Sequence, residues 1–101
     1  MPSQYTKLFC CEILTPSGRI LGVDAVSATL PMADGMLGVL AERAPLIGEL
    51  GSGLLTIEQP GGIVNRFAVK GGFAYVLNNG VSILAEEAAP VDTAATSAKA
   101  S

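Results

Sequence analysis

Apolar and β-branched runs alternate with turn residues roughly every 6 to 12 positions along this chain, which is the rhythm of an all-β protein. KLFCCEIL, residues 7 to 14, reads as a strand closed by the turn Thr15-Pro16-Ser17-Gly18, and residues 19 to 23 and 25 to 30 continue as extended segments around Gly22. Pro31 has no N–H to give to a ladder and is expected to end the pairing. The segment 32 to 53 is glycine-rich. Apart from the short strand LGVL and the turn-forming ERAP, it is expected to carry the long loops.

Beyond that segment the alternation becomes regular. LLTIEQ, residues 54 to 59, sets Leu55 and Ile57 against Thr56 and Glu58, then reverses at Pro60-Gly61-Gly62. IVNRFAVK, residues 63 to 70, returns with Ile63, Phe67 and Val69 on one face and Arg66 and Lys70 on the other, the pattern of a sheet wet on one side. GGFAYVLNNGVSIL, residues 71 to 84, departs from it. Asn79-Gly80 can hold positive φ at both central positions of a type I′ turn, whose twist suits paired strands. A two-residue turn there pairs Val76 with Ile83 and Ala74 with Ala85, and places Phe73, Tyr75, Leu77 and Leu84 on the opposite face. Both faces are then apolar, so one needs cover from outside its own sheet. Loops, the tail or a protein partner could supply it.

Composition narrows the classes of function. The chain has 101 residues, enough for a single core and too few for two. Six basic and nine acidic residues give a net charge of −3, with no cluster of Lys or Arg of the kind a phosphate backbone requires, so nucleic acid is not an expected partner. No apolar run approaches the roughly 18 to 20 residues needed to cross a bilayer. MPSQYTKLFCCEIL shows no basic region followed by a long apolar core, so no secretory signal is visible and a cytoplasmic location is expected. From residue 88 the composition shifts to AAPVDTAATSAKAS. Pro90 stops a helix and the ~10 residues after it are too few to hold one unaided, so 88 to 101 are expected to form a disordered tail behind a single domain at 1 to 87.

Candidate chemistry is sparse. Cys10 and Cys11 are the only cysteines; as neighbours in a strand they point to opposite faces and are read as reduced structural thiols. With no histidine and no recognisable ligand spacing, no metal is implied. Glu86 and Glu87 look like a carboxylate pair but also point to opposite faces of a strand. There is no phosphate-cradling G-x-x-x-x-G-K-[ST] motif, and nothing nominates a base for serine or cysteine catalysis. No enzyme and no cofactor are expected.

Taken in order, Thr15-Pro16-x-Gly18, Asp34-Gly35-x-Leu37-Gly38-Val39, Ala44-Pro45-Leu46, Gly53-x-x-x-Ile57, Gly71-Gly72-Phe73 and Val81-x-Ile83-Leu84-Ala85 resemble the N-terminal domain of the epsilon subunit of F-type ATP synthases, from about residue 7 to 87. The resemblance implies a flattened antiparallel β-sandwich of two small sheets at the foot of the rotating central stalk. It would pack on the gamma subunit through the face of Phe73, Tyr75, Leu77 and Leu84, and meet the c-subunit ring through the region of Asp34, Met36, Glu42 and Arg43. The alpha/beta catalytic assembly would be reached through the complex. In a bacterium that is the cytoplasmic face of the inner membrane.

Two features depart from the family pattern. Glu42-Arg43 stand where Gly-His is usual before the residue preceding Pro45, and Met36 stands where an acidic residue is common. Asp34 could meet a basic residue of the ring or merely favour the Asp-Gly turn. Family members often continue into a pair of helices that brake ATP hydrolysis; fourteen residues after Glu87, Pro90 among them, are expected to support no such brake and no ATP binding. A free-standing β-sandwich module binding a peptide or a sugar is the alternative, and calls for a groove lined with aromatics.

Overall fold

The computed structural model describes residues 7–77 and 79–91. Eight strands follow one another: β1 (Phe9–Thr15), β2 (Gly18–Ala25), β3 (Ser27–Met32), β4 (Gly35–Leu40), β5 (Leu46–Glu49), β6 (Ser52–Glu58), β7 (Val64–Leu77) and β8 (Gly80–Pro90). A 3-10 turn, Pro60–Gly62, joins β6 to β7, with Gly61 at φ 85. Hydrogen bonds join all the strands in the order β2-β1-β8-β7-β6-β3-β4, and β5 also pairs with β7.

Two layers arise from one sheet because the β7–β8 hairpin belongs to both. Val64–Lys70 of β7 pair with β6, whereas Phe73–Val76 pair with β5. Gly71 and Gly72 lie between, at φ 68 and 111, a backbone that L side chains rarely adopt. A Cβ built on Gly72 would overlap the carbonyl oxygen of Leu84. The glycines also reverse the pleat: Phe67 and Val69 are buried before them, Ala74 and Val76 after them. Strand β8 switches with its partner, from Val81, Ile83 and Ala85 inward to Ala88 inward. The hairpin thus enters the layer β8-β7-β6-β3-β4 with one half and the layer β2-β1-β8-β7-β5 with the other.

Side chains from both layers fill one core. Ile13, Val81 and Ile83 come from the second layer, and Leu30, Leu55 and Ile57 from the first, all essentially without solvent contact. Each contributes on the order of 1.5–3 kcal/mol by leaving water. No polar or charged residue is buried among the described residues, so the core carries no unpaired group to offset that gain. The expected flattened sandwich is therefore observed, as a single sheet folded across its shared hairpin, and it is antiparallel except where β1 runs parallel to β8.

Several local expectations are corrected. The hairpin register is Leu77↔Gly80, Val76↔Val81 and Ala74↔Ile83, so the two-residue connection is 78–79 rather than Asn79-Gly80. A shift of two preserves the side-chain period, which is why the faces were still read correctly. Asn79 takes positive φ (60°), and Gly80 does not need it.

Pro31 does not end all pairing. It lies opposite Met36 in the β3–β4 ladder, while β3–β6 pairing stops at Thr29. Its carbonyl accepts from Gly51 N–H (2.8 Å) on the β6 side, and the N–H and C=O of one strand residue point the same way. The missing donor therefore faces the side where the ladder has already closed down.

The segment 32 to 53 holds β4, β5 and the start of β6 instead of long loops. Ile63 is exposed rather than part of the Phe67–Val69 face, because it sits in the turn before β7 begins. Pairing in β8 also runs three residues past Glu87, through Ala88, Ala89 and Pro90 to the bond from Val91 N–H to Arg66 O. The segment 92–101, and with it most of the expected tail, lies outside the described residues.

Candidate functional site

The outward side of the β2-β1-β8-β7-β5 layer is assembled by register. One row across the strands reads Glu49, Phe73, Leu84, Leu14, Arg19; the next reads Ile47, Tyr75, Ser82, Glu12, Gly22. A third brings Leu77, Gly80, Cys10 and Asp24 together. Apart from Glu49, Ser82 and Leu14, apolar side chains therefore gather at the β5, β7 and β8 end, and polar ones at the β1 and β2 end. The polar end is held by its own contacts. Ser82 Oγ donates to Glu12 Oε2 at 3.0 Å, and Arg19 Nη2 lies 3.5 Å from Glu12 Oε1.

The four residues expected at a gamma contact, Phe73, Tyr75, Leu77 and Leu84, all stand exposed on this side, Phe73 at 52% and Leu77 at 55%. Ile47 is the member that sequence reasoning missed, at 68% exposure directly opposite Tyr75. Its strand was hidden within a segment read as loop, although the alternation of LIGEL, residues 46 to 50, is what β5 uses to keep Leu46 against the core. Two hollows flank the aromatic ridge. One of about 400 Å³ is bounded by Pro45, Ile47, Tyr75 and Leu77, and one of about 390 Å³ by Leu14, Pro16, Phe73 and Leu84.

The opposite outer surface has another character. There Thr29, Thr56 and Arg66 line up across β3, β6 and β7, and Ser52, Lys70 and Glu87 across β6, β7 and β8, with Leu54, Leu40 and Met36 as its exposed large apolar members. A contiguous apolar patch on one side of a domain whose other side is wet marks a contact surface. The aromatic groove needed by a peptide- or sugar-binding module is not formed among the described residues, since Phe9 and Phe67 are in the core while Phe73 and Tyr75 stand on an open sheet.

The residues expected at a c-ring contact separate into two places. Asp34, in the β3–β4 turn, Met36 and Arg43 line a cleft of about 640 Å³ between the edge strands β4 and β5. Glu42 turns elsewhere. Its carboxylate meets Lys7 Nζ at 2.9 Å and its N–H donates to Asn79 Oδ1 at 3.0 Å, beside the hairpin tip.

The adjacent thiols lie on opposite faces, as expected. Cys10 is exposed, and Cys11 is buried, where loss of solvent above all, helped by Cys10 and Glu12, pushes its pKa up to about 12. Burial keeps this thiol protonated at neutral pH and away from solvent. No group of three or more potential metal ligands occurs among the described residues, and none of their helices is long and apolar enough to cross a membrane.

Fold and surface define an all-β domain with one apolar outer side and a charged cleft at its open edge. Residues 8–91 match the ATP synthase Delta/Epsilon chain beta-sandwich domain, and the chain belongs to that family. It is 44% identical over 82 residues to the ATP synthase epsilon chain of Rhodopirellula baltica, covering 81% of this chain and 63% of that one. With the ATP synthase epsilon chain of Sinorhizobium fredii it shares 36% identity over 84 residues, 83% of this chain and 63% of the relative. The chain thus spans somewhat under two thirds of these relatives.

Among solved structures, it superposes with a TM-score of 0.78 and 27% identity on a chain of the Euglena gracilis mitochondrial ATP synthase, described as OSCP/F1/c-ring in rotational state 1. The match covers 87% of this chain and 58% of that chain. A chain of the Tetrahymena thermophila mitochondrial ATP synthase central stalk/c-ring, at 20% identity and a TM-score of 0.69, shares the fold.

Proposed function

We propose that this chain is the β-sandwich of a central-stalk rotor subunit in an F-type ATP synthase, joining gamma to the c-subunit ring and supporting the coupling of ion translocation to ATP synthesis or hydrolysis. The observation that carries the reading is the one-sided apolar surface of Ile47, Phe73, Tyr75, Leu77 and Leu84 on a domain of this family. That surface is the gamma contact. The cleft of Asp34, Met36 and Arg43, at the open edge of the sandwich, supplies the contact to the ring.

The subunit does no chemistry of its own and takes no cofactor. It transmits torque by fitting two neighbours at once, and meets the alpha/beta assembly only through the complex. It is peripheral to the membrane, and in a bacterium lies at the cytoplasmic face of the inner membrane.

Reconstitution tests this reading. An ATP synthase from the source organism, stripped of its epsilon chain and placed in vesicles, is expected to regain ATP-driven ion uptake when this protein is added. Uptake that stays at the stripped level, with the added chain folded, would overturn the assignment.

A further inference from the structure

Asn79, at the tip of the β7–β8 hairpin, is bonded to two distant segments at once. Its side-chain carbonyl oxygen accepts from Glu42 N–H (3.0 Å), in the β4–β5 connection, and its amide nitrogen donates to Leu8 O (2.7 Å), just before β1. Its backbone carbonyl takes a third bond, from Cys10 N–H (3.2 Å). Two of its neighbours are constrained as well. Glu42 is in the left-handed region at φ 66, which a non-glycine residue keeps only where its surroundings hold it. Lys7 reaches the same residue from the segment that Asn79 ties down, so the N-terminal approach and the β4–β5 connection are linked twice.

The connection so held is the one that leads to both proposed contact surfaces. Arg43, the next residue, lines the cleft, and Pro45 and Ile47 border the apolar hollow beside Leu77. Leu77 is in turn two residues from Asn79. No other described side chain donates to or accepts from the backbone of the β4–β5 connection.

We propose that Asn79 is a positioning residue, which clamps the β4–β5 connection in a strained conformation to the hairpin tip, so that the apolar docking side and the Arg43 cleft move as one rigid piece. A rotor subunit needs such stiffness, because a hinge between its two contacts would absorb rotation as bending. The importance for coupling rests on the function proposed above; the clamp itself does not.

Two substitutions separate the bonds. Asn79→Gly accepts the same positive φ and deletes both side-chain bonds, whereas Asn79→Asp keeps an acceptor for Glu42 N–H and loses the donor to Leu8. Amide exchange read by NMR on the whole chain is expected to speed up at least tenfold at Glu42 in the Gly variant and to stay near wild type in the Asp variant, with Ala74 and Ile83 unchanged in both. Equal exchange at Glu42 in wild type and Asn79→Gly would overturn the clamp, as would equal acceleration in the two variants.

In the reconstituted complex, Asn79→Gly is expected to lower ion uptake per ATP hydrolysed at least twofold while gamma still co-purifies, and Asn79→Asp to restore it. Lost exchange protection with unchanged coupling would leave the clamp standing and remove its role in the rotor. If the wild-type chain restores no uptake, the proposed function fails, and the exchange result still decides the clamp.

Discussion

Ile47 and Tyr75 lie directly opposite each other across β5 and β7, both on the outer side and both exposed. Neither gains from its neighbours what burial would give, since the pair stands at the edge where β5 has no further partner. Side chains of this size left in water contribute on binding what they withhold on folding. Tyr75→Asp is expected to abolish co-purification with gamma, and Ile47→Asp to weaken it at least tenfold, with the circular dichroism of the isolated chain unchanged. Wild-type retention of gamma by both variants would remove the apolar side from the interface.

Gly72 tests the shared hairpin. Its φ of 111 and the carbonyl of Leu84 against the place of a Cβ leave no conformation for another residue. Gly72→Ala is expected to cost more than about 2 kcal/mol, through backbone strain added to a clash. For a domain of this size that lowers Tm by roughly 10 °C or more. Gly38→Ala, in β4 with open space around it and no positive φ, is the control and should shift Tm by less than about 2 °C. Similar Tm values for the two variants would mean that the sheet does not depend on its glycine bend.

What could be read from the sequence follows from period. Phe67 and Val69, then Ala74 and Val76, obey the two-residue repeat on each side of Gly71-Gly72, and the exposed row of Phe73, Tyr75 and Leu77 came out with them. The register of the turn did not, because Asn79-Gly80 and 78–79 leave the same residues facing the same way. Strand β5 was missed for a different reason. Four residues, one of them Gly48, carry little β signal, and what fixes them is the pairing with Phe73–Val76 supplied by a distant part of the chain. The separation of Glu42 from Arg43 was equally hidden, since it depends on the left-handed turn at Glu42 and on its bond to Asn79.

The cleft gives a prediction about charge. Asp34 and Glu49 border it with Arg43, and Met36 adds an exposed apolar group at its rim. Asp34→Lys with Met36→Lys changes the charge at that edge by +3 and leaves the apolar side untouched. Ion uptake per ATP hydrolysed in vesicles is expected to fall severalfold, with binding to gamma unchanged and the defect deeper at low salt, where unfavourable charge is least screened. Normal coupling at low ionic strength would move the ring contact away from this cleft.

Cys11 gives the domain a pH dependence with a definite sign. Its thiol is buried in the core, and loss of solvent raises its pKa from about 9 to about 12. Above pH 9 the unfolded chain gives up this proton and the folded chain keeps it, so the unfolded state binds fewer protons and stability falls as pH rises. The contribution is complete below pH 9 and is progressively lost between pH 9 and 12. Denaturation midpoints are therefore expected to fall more steeply with pH over that window in wild type than in Cys11→Ala, even though the variant starts lower because of the cavity it leaves. Thiol labelling checks the same burial independently: at pH 8 one cysteine, the exposed Cys10, should react in the folded protein and both in denaturant. Parallel pH profiles for the two proteins, or labelling of both thiols in the native state, would place Cys11 outside the core.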